Sequence, residues 1–222
     1  MTAARIGWLG GSFDPVHAGH LHIARGVAEA LGLERVLFVP ARRPPHKRER
    51  RLAPDEDRLA LLELACRVDP RFETCDVELR RPGLSYSHDT ALQLRAALPP
   101  GARLFAIVGA DTLADLPNWH RIRELAELVE FCPVRRDGRM PAAGELLAAL
   151  GQRAVDAIAR NTVTLPEHPA SSTAVREQLQ RGELSDWLPP GVGAEIRRRG
   201  LYGFGGGSSS DSSGSSRSAP DT

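Results

Sequence analysis

The feature that most constrains the fold is a strand, a helix and a second strand within the first 40 residues. A short apolar run at 5–9 is followed by apolar residues at helical spacing over 18–31 and by a second apolar run at 36–39. Gly32, directly after the helical pattern, suits a helix C-terminus, where left-handed backbone is common. Two strands joined by one helix pair in parallel through a right-handed crossover. The pattern therefore predicts a β-α-β unit with a buried first strand.

Strands and helices continue to alternate along the rest of the chain. Further strands are predicted at 73–79, 104–108, 129–134 and 162–165. Predicted helices cover 55–67, 87–98, 111–117, 119–127, 142–159 with a break at Gly151, a segment that starts near Ser172, and 190–199. This alternation is typical of an α/β protein with a doubly wound, Rossmann-like parallel sheet. We expect a single domain over residues 1–204 with a C-terminal helical part.

Residues 205–222 have a different composition from the rest of the chain. Of these 18 residues, 12 are Gly or Ser, and none is a large hydrophobe. Such a segment cannot bury enough apolar surface to offset the entropy lost on ordering. The composition predicts a disordered Gly/Ser-rich tail.

Charge and cysteine content exclude several classes of protein. The 29 Lys and Arg against 28 Asp and Glu leave a net charge of +1, which argues against a strongly basic nucleic-acid-binding protein. Cys66, Cys75 and Cys132 are odd in number and form no CxxC pair, so neither a disulfide framework nor a metal site is indicated. The apolar runs are shorter than the roughly 20 residues of a membrane helix, and the N-terminus leads directly into a strand. We expect a cytoplasmic protein with no membrane or nucleic-acid partner, and leave open whether it forms a homo-oligomer.

A candidate anion site lies between the first strand and the first helix, in the segment 10–20. Its glycines allow the backbone to approach an anion closely, and the helix that follows offers free N–H groups and a positive dipole end. His17 and His20 are three residues apart, so both can face one ligand and donate to phosphate oxygens. The segment is neither a Gly-x-Gly-x-x-Gly fingerprint nor a Walker A loop. A simpler interpretation is a strand-turn-helix whose histidines only cap the helix.

The same segment resembles the signature of the nucleotidyltransferase superfamily, Gly-x-Phe-x-Pro-x-His-x-Gly-His, at every defined position. The resemblance implies that His17 and His20 are catalytic, because they hold the phosphates of ATP and stabilise the transition state. It also implies that the surrounding residues contact ATP, namely Gly10, Gly11, Ser12, Phe13 and Gly19.

A second motif lies about 150 residues later, at 171–176. Serines at a helix start are ordinary N-caps, but that does not explain Arg176, which can project from the first helical turn toward an anion. The segment resembles the Ile-Ser-Ser-Thr-x-x-[Lys/Arg] signature of the same superfamily, with Ala170 in place of Ile. The resemblance implies that Ser172, Thr173 and Arg176 bind ATP phosphates and that Arg176 takes part in catalysis.

A basic loop follows the second strand, at 42–51. It holds six Lys or Arg residues and one Glu, a local concentration in a nearly neutral chain. Such runs are usually solvated surface, but this one begins on the ligand side of the predicted sheet. A cation that bridges two phosphorylated substrates would relieve their repulsion before attack. The Pro-Pro-His-Lys string resembles the superfamily's counterpart, which implies that Lys47 is a catalytic phosphate ligand that also contacts the second substrate.

Residues 84–90 point to the identity of that second substrate. They resemble the Pro-Ser-Tyr-Thr-x-Asp-Thr string of bacterial nicotinate-nucleotide adenylyltransferases, with departures at Leu84, Ser87 and His88. Ser87 keeps the hydroxyl of the family's Thr at a predicted helix start, where an anion can bind. The resemblance implies that nicotinate mononucleotide contacts Ser85, Tyr86 and Ser87.

Two further positions fit the same family. The predicted strand at 104–108 leads into Gly109 and Asp111, which the resemblance places at ATP; Asp111 is also suited to be an N-cap. Trp119 follows, and the resemblance places its ring against the nicotinate ring, although a tryptophan is more often part of a core. Backbone N–H groups at Trp119 and His120 are further candidate donors for the nicotinate carboxylate if a helix opens there.

These resemblances imply an adenylyltransferase of NAD biosynthesis. Its substrates would be ATP, with Mg²⁺ held by the phosphates, and nicotinate mononucleotide, and its products deamido-NAD and pyrophosphate. No cysteine lies in a motif, so we expect direct in-line transfer by positioning and charge stabilisation. The alternatives are adenylyl transfer to nicotinamide mononucleotide or another phosphorylated acceptor, and a nucleotide-binding module without turnover.

Overall fold

The computed structural model describes residues 3–43, 52–135 and 143–204. Its strands are β1 (Arg5–Gly11), β2 (Arg35–Pro40), β3 (Phe72–Thr74), β4 (Arg103–Gly109), β5 (Glu130–Arg135) and β6 (Val163–Thr164). They form one six-stranded sheet in the order β3-β2-β1-β4-β5-β6, and every neighbouring pair is parallel. This strand order is that of the doubly wound Rossmann-like fold, so the predicted fold class is confirmed.

Helices connect the strands and cover both faces of the sheet. They are α1 (Ala18–Leu31), α2 (Asp55–Cys66), α3 (Val77–Arg80), α4 (Ser87–Ala97), α5 (Ile122–Leu128), α6 (Ala143–Leu150), α7 (Gln152–Asn161), α8 (Ser172–Gln180) and α9 (Val192–Arg199). Two 3-10 helices, Ala110–Asn118 and Leu201–Gly203, complete the described elements. No helix of the described segments is long and apolar enough to cross a membrane.

The buried apolar side chains form two clusters, one on each face of the sheet. Successive residues of a strand point to opposite faces, so Leu9 joins one cluster whereas Ile6 and Trp8 join the other. The Leu9 cluster packs against α1, α2, α8 and α9, and the Trp8 cluster packs against α4 to α7 and the first 3-10 helix. This arrangement explains why β1, buried on both sides, is apolar almost throughout.

Two predicted elements were wrong in type or extent. The strand expected at 73–79 ends at Thr74, because Cys75 donates its N–H to Phe38 in a last ladder bond and α3 begins two residues later. The helix expected at 119–127 begins only at Ile122. Trp119 closes the preceding 3-10 helix by donating its N–H to the Leu116 carbonyl at 3.0 Å, and Arg121 takes a left-handed backbone with φ of 53°.

The sheet creates a crevice where its winding direction reverses. β1 pairs with β2 on one side and with β4 on the other, and the connections leave β1 and β4 toward opposite faces. The carboxyl ends of these two strands therefore lie side by side with open space between the segments that follow them. Ligands of doubly wound folds bind at this point.

Candidate active site

Two adjoining cavities lie at the carboxyl ends of the central strands. The first, the central cavity, measures about 400 Å³, and its walls include Trp8, Gly10, Gly109, Ser87 and Trp119. The second, the histidine cavity, measures about 210 Å³ and is lined in part by His17, Gly19, His20, His22, Val134, His168 and Ser172. Ile23 of α1 lines both cavities, so they adjoin at the start of this helix. The crevice therefore has room for two ligands that meet near the predicted catalytic histidines.

The turn between β1 and α1 is held by a buried arginine. Arg58 of α2 is fully buried and donates to three oxygens: the Ser12 carbonyl at 2.6 Å, the Ala53 carbonyl at 3.1 Å and the Asp55 carboxylate at 2.6 Å. Phe13 follows in a left-handed backbone with φ of 45°, which is uncommon for a non-glycine residue. Its ring is buried, so it supports the turn, and a contact with ATP would have to use its backbone.

The second motif packs directly against this turn. Arg176 of α8 donates to the Asp14 carbonyl at 2.6 Å and to the Thr173 hydroxyl at 3.1 Å. Ser172 donates its hydroxyl to the Pro15 carbonyl at 3.0 Å. Residues 157 and 162 positions apart in the chain thus share one hydrogen-bonded unit. Ser171, by contrast, is the ordinary N-cap of α8, since its hydroxyl accepts from the backbone of the first turn at 3.2 Å.

The two predicted catalytic histidines stack on each other at the start of α1. Their ring centroids are 3.8 Å apart, and the His17 backbone N–H donates to His20 Nδ1 at 3.2 Å. Because Nδ1 accepts this bond, the neutral His20 ring carries its proton on Nε2 and can donate it to an oxygen. Burial lowers the pKa of His17 to about 4, and a nearby His168 adds to this effect, so His17 is neutral at pH 7.

Gly19, between the two histidines, is required by close packing. A Cβ at this position would lie 3.0 Å from the His17 ring and 3.3 Å from the Ala170 carbonyl. His17 Nδ1 is buried and has no hydrogen-bond partner among the described residues. The glycine therefore allows the His17 ring to pack against α1 beside the histidine cavity.

Both ends of the basic loop are tied to the site, although Lys47 itself lies outside the described residues. At the first end, Ser85 accepts backbone N–H bonds from Arg42 at 3.1 Å and from Arg43 at 3.4 Å. At the second end, the Ala53 N–H donates to the Asp14 carboxylate at 3.1 Å. The loop that contains Lys47 thus leaves and returns beside the central cavity and the turn.

The three residues at 85–87 that are predicted to contact nicotinate mononucleotide differ in their own contacts. Ser85 and Ser87 line the central cavity, and Ser87 is the first residue of α4. The Ser85 hydroxyl is already engaged by the basic loop. The ring of Tyr86 packs on that of His120, with centroids 4.4 Å apart. Ser87 and its helix start are thus the best-placed donors of this segment for an anion.

Trp119 lies in the wall of the central cavity, and the hydrogen-bond donors near it differ from those predicted. Its backbone N–H is taken by the Leu116 carbonyl, so the predicted donor at this position is wrong. Instead, the indole nitrogens of Trp119 and Trp8 are both buried without a partner among the described residues. An indole N–H can only donate, so these groups favour an acceptor in the ligand.

Gly109 and Asp111 lie at the end of β4. Gly109 is the N-cap of the 3-10 helix, so Asp111, predicted as a candidate N-cap, belongs to its first turn. A Cβ on Gly109 would lie 2.2 Å from the Asp111 carboxylate, which therefore folds back over the glycine at the mouth of the central cavity. No group of three or more potential metal ligands occurs within the described residues.

Comparison with known proteins decides the family. The Cytidylyltransferase-like family model matches residues 8–178. A protein named probable nicotinate-nucleotide adenylyltransferase from Geobacillus thermodenitrificans is 42% identical over 201 residues, which are 90% of this chain and 86% of the relative. A protein of the same name from Roseiflexus sp. is 40% identical over 207 residues, 91% of this chain and 100% of the relative. The chain belongs to the nicotinate-nucleotide adenylyltransferase family.

Solved structures agree with the fold of this family. Plasmodium falciparum nicotinic acid mononucleotide adenylyltransferase complexed with NaAD aligns with a TM-score of 0.69 at 17% identity, covering 90% of this chain and 98% of that one. The same protein complexed with APC aligns with a TM-score of 0.67 at 17% identity, covering 90% of this chain and 98% of that one. At this identity the likeness concerns the fold alone.

Motif reasoning assigned no role to three residues that lie at the turn of this adenylyltransferase-family site. Arg58 and Asp14 provide the hydrogen bonds described above. Tyr202 lies near Asp14, whose negative charge adds to burial in raising the pKa of the phenol. A signal for Arg58 exists in the sequence. It shares the helical spacing of Leu61, Leu62 and Ala65 and therefore lies on the buried face of α2, where an arginine needs partners.

Proposed function

We propose that this chain transfers AMP from ATP to nicotinate mononucleotide, yielding deamido-NAD and pyrophosphate. Membership of the nicotinate-nucleotide adenylyltransferase family supports this reaction. The observation that carries the proposal is that His17 and His20 line the histidine cavity, which adjoins the central cavity at Ile23. A transfer between two bound substrates needs two compartments that meet at the reacting phosphorus.

Each cavity supports mainly one substrate, and ATP also extends into the central cavity, whose wall includes its proposed contacts at residues 10–12 and Gly109. The histidine cavity offers the α8 start and the two stacked rings to the triphosphate, with apolar side chains beside them. The central cavity combines apolar walls with Trp119, Ser87 and buried indole N–H groups, which suit an aromatic ring bearing a carboxylate. A carboxylate only accepts hydrogen bonds, whereas an amide would turn an NH₂ group toward at least one of these donors. We therefore propose a preference for the acid over the amide.

The chain's own residues catalyse the transfer by stabilising charge and form no covalent intermediate. The 5′-phosphate of nicotinate mononucleotide attacks the α-phosphorus of ATP, and the bond to pyrophosphate breaks. His20 donates from Nε2 to the phosphate oxygens on which charge builds up, and Lys47 and Arg176 neutralise the remainder. Mg²⁺ enters with ATP as part of the substrate. A cytoplasmic location fits this use of ATP and of a phosphorylated nucleotide.

Pyrophosphate release tests the proposal. The wild-type protein is offered MgATP with nicotinate mononucleotide, nicotinamide mononucleotide or phosphopantetheine. We expect release with the first, and a kcat/KM for the amide about 10²-fold lower, because one buried donor is left unpaired and a charge interaction is lost. A comparable kcat/KM for the two mononucleotides would refute the preference, and release only with phosphopantetheine would refute the reaction.

A matched variant tests the role of the histidine pair. His20→Ala should lower kcat by roughly 10²–10³-fold with little change in the thermal midpoint, because one preorganised donor is lost near the protein surface. Arg67→Ala, at an exposed position just after α2 and outside the predicted site, is the control and should keep kcat within a few-fold of the wild type. Full turnover by His20→Ala would contradict the assignment. Binding of both nucleotides without any turnover by the wild type would instead indicate a non-catalytic module.

A further inference from the structure

Two histidines of the histidine cavity have no part in the proposed transfer. His22 lies on the second turn of α1, and His168 lies in the segment that leads to α8. Their ring centroids are 5.6 Å apart. Neither belongs to the two motifs from which the function was predicted. Both rings are half-buried beside Ile23, Val134 and Leu165, an apolar lining suited to a flat aromatic ring.

Backbone hydrogen bonds determine which nitrogen of each ring holds the proton. His22 Nε2 lies 3.0 Å from the Pro166 carbonyl, which can only accept, so the proton of His22 is on Nε2. His168 Nδ1 lies 3.1 Å from the Ala170 N–H, which can only donate, so the neutral ring of His168 holds its proton on Nε2.

The other ring nitrogen of each histidine therefore has the opposite hydrogen-bonding role to that of its partner ring. His22 Nδ1 is an acceptor and His168 Nε2–H is a donor, and neither has a partner among the described residues. An acceptor beside a donor matches the 6-amino edge of adenine, where an exocyclic NH₂ donates and a neighbouring ring nitrogen accepts. A 6-oxo purine presents a carbonyl oxygen at that place, which would face the lone pair of His22 Nδ1.

From this arrangement we infer that His22 and His168 recognise the 6-amino edge of the purine base and select ATP over 6-oxopurine triphosphates. The inference rests on the proposed function, because it places the base of the adenylyl donor in the histidine cavity. The triphosphate then extends from the base toward His17, His20 and the α8 start, all of which line the same cavity. Selection follows because a 6-oxo base would leave at least one of the two imidazole groups unpaired.

Comparison of ATP with ITP tests this inference, because the two differ only in the 6-amino and 6-oxo groups and in the proton that the 6-oxo form carries on N1. With nicotinate mononucleotide as the acceptor, we expect the wild type to prefer ATP by about 100-fold in kcat/KM. His168→Leu and His22→Leu should each reduce this ratio to about tenfold or less, mainly by losing activity with ATP.

Conservative variants separate hydrogen bonding from mere packing. His168→Gln keeps an N–H donor near the position of Nε2, and His22→Asn keeps an acceptor oxygen near that of Nδ1. Both should retain more of the ATP preference than the leucine variants. Equal losses in the leucine and the amide variants would show that the rings only fill space, and would overturn the inference.

A binding measurement makes the result independent of turnover. Calorimetry with a non-hydrolysable ATP analogue and its 6-oxo counterpart should show the same ratio of Kd values as kcat/KM, and the leucine variants should lower it. Equal Kd values for the two analogues with the wild type would overturn the inference. If the wild type binds the ATP analogue with this preference yet releases no pyrophosphate, the proposed function fails while the base recognition stands.

Discussion

Replacing Arg58 by Met should both destabilise the fold and slow the reaction, and the two effects can be measured separately. Met has a similar length and no polar atoms, so the Ser12 and Ala53 carbonyls would lose their buried donor. Each unsatisfied group costs about 1–3 kcal/mol, whereas the third partner, Asp55, is 38% exposed and can be hydrated. We therefore expect a loss of about 4 kcal/mol in the free energy of unfolding, which lies within the range for breaking a buried ion pair.

The functional effect follows from the position of the Ser12 carbonyl. This carbonyl belongs to the turn that sets the start of α1, and with it His17 and His20. A misplacement of about 1 Å can cost about 10²-fold in rate. Measured at a temperature where the Arg58→Met variant is fully folded, kcat should fall by about 10²-fold, and KM for ATP should change less than kcat. Arg58→Lys, which keeps the charge and some donors, should recover part of both losses.

Arg95 provides the matched control. It is half-buried and also donates to two backbone carbonyls, those of Ala102 and Leu128, but it lies at the opposite end of the sheet from the site. Arg95→Met should lower the urea midpoint and leave kcat unchanged in the folded protein. An Arg58→Met variant with a lower urea midpoint and a wild-type kcat would show that Arg58 is only structural. An unchanged midpoint would refute the energetic reasoning itself.

Two further predictions concern pH and a glycine. The pKa of His17 is about 4 in the fold against 6.5 in the unfolded chain, so the unfolded state binds an extra proton between these pH values. The free energy of unfolding should therefore fall by about 3 kcal/mol from pH 6.5 to pH 4. Urea titrations at several pH values in this range should show this decrease in the free energy of unfolding, and the decrease should be smaller in His17→Gln. Gly109→Ala fits the local backbone but displaces the Asp111 carboxylate, so KM for ATP should rise several-fold while the thermal midpoint stays within a few degrees. An unchanged KM would remove Asp111 from the ATP site.

The structure shows where sequence reasoning is strong and where it fails. α1 has the predicted bounds because its apolar spacing, its histidine start and Gly32 all agree. α3 was missed because the alternation around Val77 resembles a strand, whereas β3 is an edge strand that pairs over only three residues. The contacts of Arg58 could not be predicted, because Ser12 and Arg58 are 46 residues apart and only the fold brings them together.

The same hydrogen bonds explain why two distant motifs can act as one site. The turn 12–15 is held by α2 through Arg58, by the end of the basic loop through Ala53, and by α8 through Arg176 and Ser172. Charge stabilisation is efficient only when its donors need no reorganisation during the reaction. In the proposed reaction the first motif supplies the His20 donor. The second motif adds the charge of Arg176 and also binds the carbonyls of the turn that orients His20. A change in α8 should therefore alter the geometry of His17 and His20 even where it touches no substrate.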